Sequence, residues 1–421
     1  MTVQTRALAR PPLSAGRWYY GWTLVLTLAL TETISYGVLF YAVSVFIAPM
    51  QADLGWTRAT ISGGVSLSLI VAAIVGLGVG RWLDWQGARG VMTLGSLLAV
   101  IAVMAWSQVR DPQTYALIWL LMGLAKAMVF YDSAFWVLAQ WFVRYRRRAI
   151  TIMTFVAGFS FLIFSPLANA LIQRFGWREA LVLLGLLLAC TTLPLHALLL
   201  RRRPEDLGLL PDGDVQPTSS SPSSPPEGLN FGAALRQLAY WALTAAFACG
   251  GVGLYTMVLY IVPHLIDEGY DSAFAALAAG LVGLLSLPGR LIFTPLGERA
   301  PSRVAALLFL SQAAGLLVLI FAQSQLGVLA FVALFSLGYG AVTPSRAALM
   351  AEYFGRRAYG TINGFSTVII TLVSAASVTA AALLNDQTGS FRAALWIMVG
   401  LSLLGAGLIG VAHWLRPRLT T

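Results

Sequence analysis

Three ionisable side chains interrupt the first and fourth of a series of apolar stretches: Glu32, Lys126 and Asp132. A charge placed inside a bilayer costs about 2.5–3.5 kcal/mol on insertion scales, so each needs a partner or water and is a candidate for binding or proton transfer. Lys126 is the only lysine in the chain, which argues against a casual surface role. Glu32 and Lys126 are opposite in charge and lie at similar depth in the first and fourth apolar stretches. That predicts an ion pair, with Glu32 as a proton carrier and Lys126 as a solute contact; the bland alternatives are a pair that only orients two helices, or a lysine reaching water. Asp132, six residues further on, is rotated by about 240° around a helix and should face elsewhere. It is a second proton-coupling candidate.

Arg290 combines a permanent charge with a planar fork that fits a carboxylate. Its alternative is snorkelling to the nearby helix end. Tyrosines offer apolar area and a hydroxyl together, which suits solutes of mixed polarity; Tyr131 and Tyr339 are selected as solute contacts, and the other aromatics as packing. His264, after Pro263, reads as an interfacial histidine rather than a functional one. Gly250, Gly251 and Gly253 suit either a hinge or close helix packing, and Pro288 and Pro344 predict kinks. Cys190 and Cys249 have no metal-type spacing. There is no phosphate-binding Gly-rich loop ending in Lys-Ser/Thr, no His-Glu-x-x-His and no nucleophile elbow. The expectation is no enzyme, no cofactor, no metal, and energy drawn from a gradient rather than from ATP.

These residues stand on elements of one kind. The 421 residues are 58% hydrophobic and 10% charged, with a mean hydropathy of +0.78. That is too little charge to cover a soluble protein. Twelve apolar runs of bilayer-spanning length are predicted at 18–48, 58–83, 90–109, 113–142, 149–173, 176–200, 238–266, 272–297, 302–322, 325–351, 358–384 and 391–414. The first is too long for a signal peptide and has no small-residue cleavage site. Residues 1–16 read as a basic tail. Residues 201–236, with the Pro/Ser run 217–226, read as a linker that builds no core. The organisation is therefore a six-helix half over 1–200, a cytoplasmic linker over 201–236 and a second half over 237–421.

The net charge of +10 comes largely from arginines in alternate loops: Arg81 and Arg89, Arg144 with Arg146 to Arg148, Arg201 to Arg203, Arg299 and Arg303, Arg356 and Arg357. Both termini belong to that set. By the positive-inside rule these loops and the termini are cytoplasmic, which explains the charge better than nucleic acid does. The halves echo each other. Trp141-Phe142-Val143-Arg144 matches Tyr353-Phe354-Gly355-Arg356, and Gly176-Trp177-Arg178-Glu179-Ala180 matches Gly389-Ser390-Phe391-Arg392-Ala393, at offsets of 212 and 213 residues. Duplicated halves around a midplane site are a transporter feature.

The loop after the second run, Gly80-Arg81-Trp82-Leu83-Asp84-Trp85-Gln86-Gly87-Ala88-Arg89, resembles the major facilitator signature Gly-x3-Asp-x2-Gly-x-Arg/Lys. Its second copy, Thr294 to Arg303, is degraded. Within that superfamily the chain is similar to the monocarboxylate and oxalate–formate carrier branch, through Tyr20-Gly21-Trp22, the entry Trp141 to Ala149, and Arg290-x3-Thr294-x3-Glu298. The resemblance implies an all-α membrane protein with twelve transmembrane helices in two six-helix halves, with helices one and four lining the cavity. It implies a gating role for Gly80, Asp84, Gly87 and Arg89 and a substrate role for Arg290. It departs from the branch at Ser286, where an acid is expected, and at Phe40 or Tyr41, where a lysine is expected, so proton coupling is not carried over unchanged. The expected function is secondary active transport of a small organic anion, with a proton as coupling ion, by a monomer in a bacterial-type inner membrane. The alternative is uptake or efflux of a neutral or aromatic metabolite; a non-transporting sensor is a further reading.

Overall fold

The computed structural model describes residues 18–214, 228–355 and 357–416, with the backbone alone over 290–299. The basic tail, the Pro/Ser run and Arg356 lie outside the described residues. Twelve helical stretches are long and apolar enough to cross a membrane. Spans 1 to 6 are Tyr20–Leu54, Arg58–Gln86, Ala88–Ser107, Pro112–Trp141, Arg146–Phe175 and Trp177–Leu199. Spans 7 to 12 are Leu238–Asp267, Ser272–Arg299, Pro301–Phe321, Gln325–Phe354, Tyr359–Thr388 and Arg392–Trp414. The protein is thus an all-α, multi-pass membrane protein of two six-helix halves.

Local chemistry sets the span ends. Span 1 was expected to close near residue 48 but runs on to Leu54, through Pro49, until Gly55 adopts a left-handed φ of 68°. Span 4 opens on Asp111, whose carboxylate accepts from the Thr114 N–H at 2.8 Å, with Pro112 in the first helical position. This is an N-cap in which the proline's missing N–H costs nothing. The echo between halves survives in three dimensions. Arg178 donates to the Ser107 and Val109 carbonyls that finish span 3, and Arg392 reaches the Ile320 carbonyl near the end of span 9.

The segment expected to be a linker is docked at both of its described ends. Asp212 accepts from the backbone N–H groups of Val143, Arg144 and Tyr145 at 3.0, 2.7 and 3.1 Å. Beside it, Arg144 pairs with Asp214 at 2.9 Å. Leu229 donates to the Phe354 carbonyl at 2.9 Å, and Gly228 bridges Gly355. The two ends therefore hold the same loop in each half, the one after span 4 and the one after span 10. This end of the bundle is the linker end, and the opposite one the far end.

Packing within a bilayer rests on close approach of small residues, because lipid offers no hydrophobic drive between helices. A Cβ on Gly340 of span 10 would overlap the Ser286 backbone of span 8. One on Gly280 or Gly283 of span 8 would press on Leu162 or Phe161 of span 5, across the two halves. A Cβ on Gly250 would meet the Phe309 ring, and one on Gly253 the Gln312 amide. Span 7 runs unbroken over Leu238–Asp267, so its glycines serve close packing here.

Candidate functional site

Among the described residues, a series of hydrogen bonds between the halves runs from the middle of the spans to the far end. Arg58 of span 2 forks onto Asp267 of span 7, at 2.7 and 3.2 Å. The Ala59 N–H donates to Asp386 of span 11 at 3.0 Å. Further in, Ser62 bonds Tyr260, and Ser66 donates to the Ala375 carbonyl at 2.6 Å. Gln173 of span 5 meets Ser272 of span 8 at 3.3 Å. Near mid-span the Tyr41 and Tyr339 hydroxyls are 2.9 Å apart. The halves are therefore clasped at the far end, and side chains of both wall a cleft at mid-span.

The mid-span walls of this cleft are aromatic and charged. Span 1 changes from α to π winding over Gly37–Tyr41. A Cβ on Gly37 would overlap the Phe164 ring, so the glycine lets span 1 lie against span 5 at that turn. Single π turns inside helices recur at functional sites. This one presents Phe40, whose ring is 6.0 Å from Tyr255 of span 7, and Tyr41, stacked on Phe161 at 4.6 Å. Tyr36 stacks on Phe130 at 4.0 Å and lies 4.5 Å from Tyr131.

Span 4 breaks at Phe130, whose backbone is extended at φ −82° and ψ −179°. The break places Asp132 in the first turn of the helix Tyr131–Trp141. Free N–H groups and the helix dipole favour negative charge at such a position. Asp132 is exposed although it lies deep in a span, while Tyr131, Tyr255, Tyr339 and Arg346 are half-buried. Contacts across the halves show that these surfaces face the cleft rather than lipid. Arg346 of span 10 stands within electrostatic reach of Asp132, Tyr255 and Tyr359, so it sits where spans 4, 7, 10 and 11 converge. Its Nε is buried and has no hydrogen-bond partner. No Asp132–Arg346 ion pair closes among the described residues.

The expected Glu32–Lys126 ion pair is not formed. The Lys126 Nζ donates to Ser68 Oγ of span 2 at 2.9 Å and lies 5.0 Å from the Trp119 ring. It points into the first half, between spans 2 and 4. Glu32 is fully buried, and neither carboxylate oxygen has a hydrogen-bond partner. Its charged neighbour is Asp132 rather than Lys126. Tyr131 and Tyr339 both reach the cleft. The side chain of Arg290 lies outside the described residues. Arg346 was missed, although the rule that selected Arg290, an arginine within an apolar run, applies to it equally.

The signature loop is built into the first half. Asp84 accepts from Trp136 Nε1 of span 4 at 2.7 Å, and Arg89 donates to the Ala197 carbonyl of span 6 at 2.7 Å. Gly87, at φ 80°, ends span 2, and a Cβ there would strike the Arg202 side chain. Gly80 has open space around it. His264 is packed against Phe391 and borders a cavity of about 170 Å³ with Glu268 and Arg392. That cavity lies within the second half at the far end, so it is not part of the cleft.

A family model described as Major Facilitator Superfamily matches residues 28–314 and 269–420. The chain is 27% identical over 412 residues to Monocarboxylate transporter 13 of Bos taurus, covering 96% of this chain and 92% of the relative. It is 24% identical to the uncharacterised MFS-type transporter YcxA of Bacillus subtilis, covering 85% and 87%. Among solved structures, a bacterial homologue of the human lysosomal transporter Spinster, inward-facing and unoccupied, superposes with a TM-score of 0.75 at 15% identity, covering 95% of this chain and 98% of that one. A single-substitution mutant of the nucleoside transporter NupG gives 0.73 at 14%, covering 92% and 99%. At these identities the two structures speak to the fold alone.

Proposed function

Since the chain belongs to the Major Facilitator Superfamily and is a transporter rather than an enzyme, we propose that it moves a small organic anion of the monocarboxylate kind, coupled to protons, by alternating access. The observation that carries this reading is the pair of opposite charges, Asp132 and Arg346, presented from different halves into a cleft closed at one end. A site shared by both halves is remade whenever they rock, so a solute bound there is passed from one side to the other. The relatives named as monocarboxylate transporters support the substrate class.

In this reading the positive-inside rule puts the linker end in the cytoplasm of a bacterial-type inner membrane, and the cleft faces inward. The unit is a monomer, with 1–200 and 237–421 as its moving halves and 201–236 as their link. Arg290 is a carboxylate contact, and Tyr131 and Tyr339 offer hydroxyls. Glu32 and Asp132, two neighbouring acids, share the proton. Lys126 holds spans 2 and 4 together rather than binding solute. Gly80, Asp84, Gly87 and Arg89 meet the second half when the linker end closes.

The test is uptake of labelled short carboxylates into proteoliposomes, with and without an inward proton gradient, for the wild type, Glu32→Gln and Arg290→Ala. Gradient-stimulated uptake that both variants lose is expected. Flux of uncharged solutes in place of carboxylates would replace the reading with a neutral-metabolite carrier.

A further inference from the structure

The cleft carries more specificity than a short aliphatic acid needs. Its mid-span wall is a run of rings from four spans: Tyr36, Phe40 and Tyr41 of span 1, Tyr131 of span 4, Tyr255 of span 7 and Tyr339 of span 10. Tyr36 and Tyr131 are 4.5 Å apart, Phe40 and Tyr255 6.0 Å, and the Tyr41 and Tyr339 hydroxyls 2.9 Å. Tyr255 in turn lies within electrostatic reach of Arg346, Tyr41 and Asp132, so rings and charges occupy one place. The π turn sets two consecutive rings, Phe40 and Tyr41, into that wall.

Two features single out Arg346 as an anchor. Its Nε is buried without an acceptor, and leaving such a donor unsatisfied costs about 1–3 kcal/mol. Its nearby acid, Asp132, faces it without closing an ion pair, so the guanidinium is balanced in charge but not capped. A ligand carboxylate would supply two acceptors to a planar fork. The ring attached to such a carboxylate would then meet the tyrosine wall at stacking or edge distances.

We infer that Arg346 anchors the carboxylate of an aromatic monocarboxylate, an arene or aryl acid, whose ring is received by the tyrosine wall of spans 1, 4, 7 and 10. This rests on the organic-anion reading and narrows it. Asp132 holds Arg346 in place in the empty cleft and yields it to the ligand. The wall distinguishes a flat π face from a saturated ring of equal size, because the rings present quadrupoles as well as area.

The experiment is transport and competition in proteoliposomes with benzoate, cyclohexanecarboxylate, lactate and benzamide as probes. The proteins are the full-length wild type, Arg346→Gln, Arg346→Lys and Tyr36→Leu, each checked for a monodisperse gel-filtration peak and unchanged melting. Benzoate is expected to be favoured over cyclohexanecarboxylate by about tenfold, the worth of one to two aromatic contacts. Tyr36→Leu should reduce that preference, lowering benzoate flux more than cyclohexanecarboxylate flux. Arg346→Gln should lower benzoate flux by about 10- to 100-fold, the worth of a charge-assisted hydrogen bond. Arg346→Lys should recover only part of it, since it keeps the charge and loses the fork. Equal handling of benzoate and cyclohexanecarboxylate, or a well-folded Arg346→Gln that carries benzoate normally, overturns the inference. Lactate flux with benzoate excluded overturns it while leaving the organic-anion reading intact. Benzamide flux with no carboxylate flux overturns both.

Discussion

The two halves have the same six-span plan but differ in continuity. In the first half, span 1 changes to π winding at Gly37–Tyr41, span 4 breaks at Phe130, span 5 at Gly158–Phe159 and span 6 at Thr191. In the second half all six spans run unbroken, including span 7 through Pro263 and span 10 through Pro344. These helices run on through their prolines, whereas the break beside Asp132 occurs at a phenylalanine. The irregular half supplies the two buried or cleft-facing acids, Glu32 and Asp132, and the regular half supplies Arg346. Irregular backbone at membrane depth is tolerated where it lines a cavity, because groups released from the helix ladder need water or protein partners. The difference suggests a division of labour: a yielding half that presents acids and rings, and a stiffer half against which it works.

Alanine at the close-packed glycines tests this contrast most severely. Gly340→Ala puts a Cβ onto the Ser286 backbone, which cannot swing aside. It should cost about 3 kcal/mol, the upper part of the overpacking range. Gly37→Ala meets a Phe164 ring that can rotate, and should cost about 1–2 kcal/mol. Thermal unfolding in detergent should show the larger drop for Gly340→Ala. Equal drops would remove the stiff-versus-yielding distinction.

The far-end clasp comes next. Arg58 is buried while its partner Asp267 is half exposed, so solvent screening limits the pair. Arg58→Ala should shift the balance toward far-end opening by about 1 kcal/mol, roughly fivefold. The check is faster labelling of Ser62→Cys by a membrane-impermeant thiol reagent, in a background lacking Cys190 and Cys249. Unchanged labelling would mean that the other far-end bonds and the packing of span 5 on span 8 hold that end without the ion pair.

A smaller effect separates the two ends of the linker. Asp212→Ala releases the three N–H groups of 143–145 and should expose the arginines at 144–148 to trypsin by about 1 kcal/mol of opening. Cleavage after Arg357 should not change, because Gly228 and Leu229 hold that loop. The smallest effect is at Asp111. Hydrogen bonds from the Thr114 N–H and hydroxyl hold its carboxyl below the usual carboxylate range. The cap therefore stabilises above the ordinary carboxylate pKa and is lost as pH falls through the lowered value. Asp111→Asn, an uncharged acceptor, should flatten that acid-side dependence of the melting temperature.

Much of the fold was legible because membrane insertion sums local properties. The length of the apolar runs recovered all twelve spans, and most bounds fall within a few residues of those observed. Legibility stopped at orientation within a span. Lys126 and Asp132 are six residues apart, yet one reaches Ser68 inside the first half and the other faces the cleft. Opposite charge and similar depth suggested the Glu32–Lys126 pair, but neither says which face a residue occupies. The break at Phe130 carries no glycine or proline beside it, so no local signal announced it.

By itself, the sequence determined that this is a twelve-span helical membrane protein with a duplicated plan, because those facts depend on hydrophobic length, charge counts and repeat offsets. Only the tertiary structure decided that Asp132 stands within electrostatic reach of Arg346, that Glu32 lies beside another acid, that the described ends of the linker clasp both equivalent loops, and that the far end is clasped. Each of these depends on residues brought together from different spans. A helix turns by about 100° per residue, so a small error in phase or a single π turn changes the face on which a side chain stands.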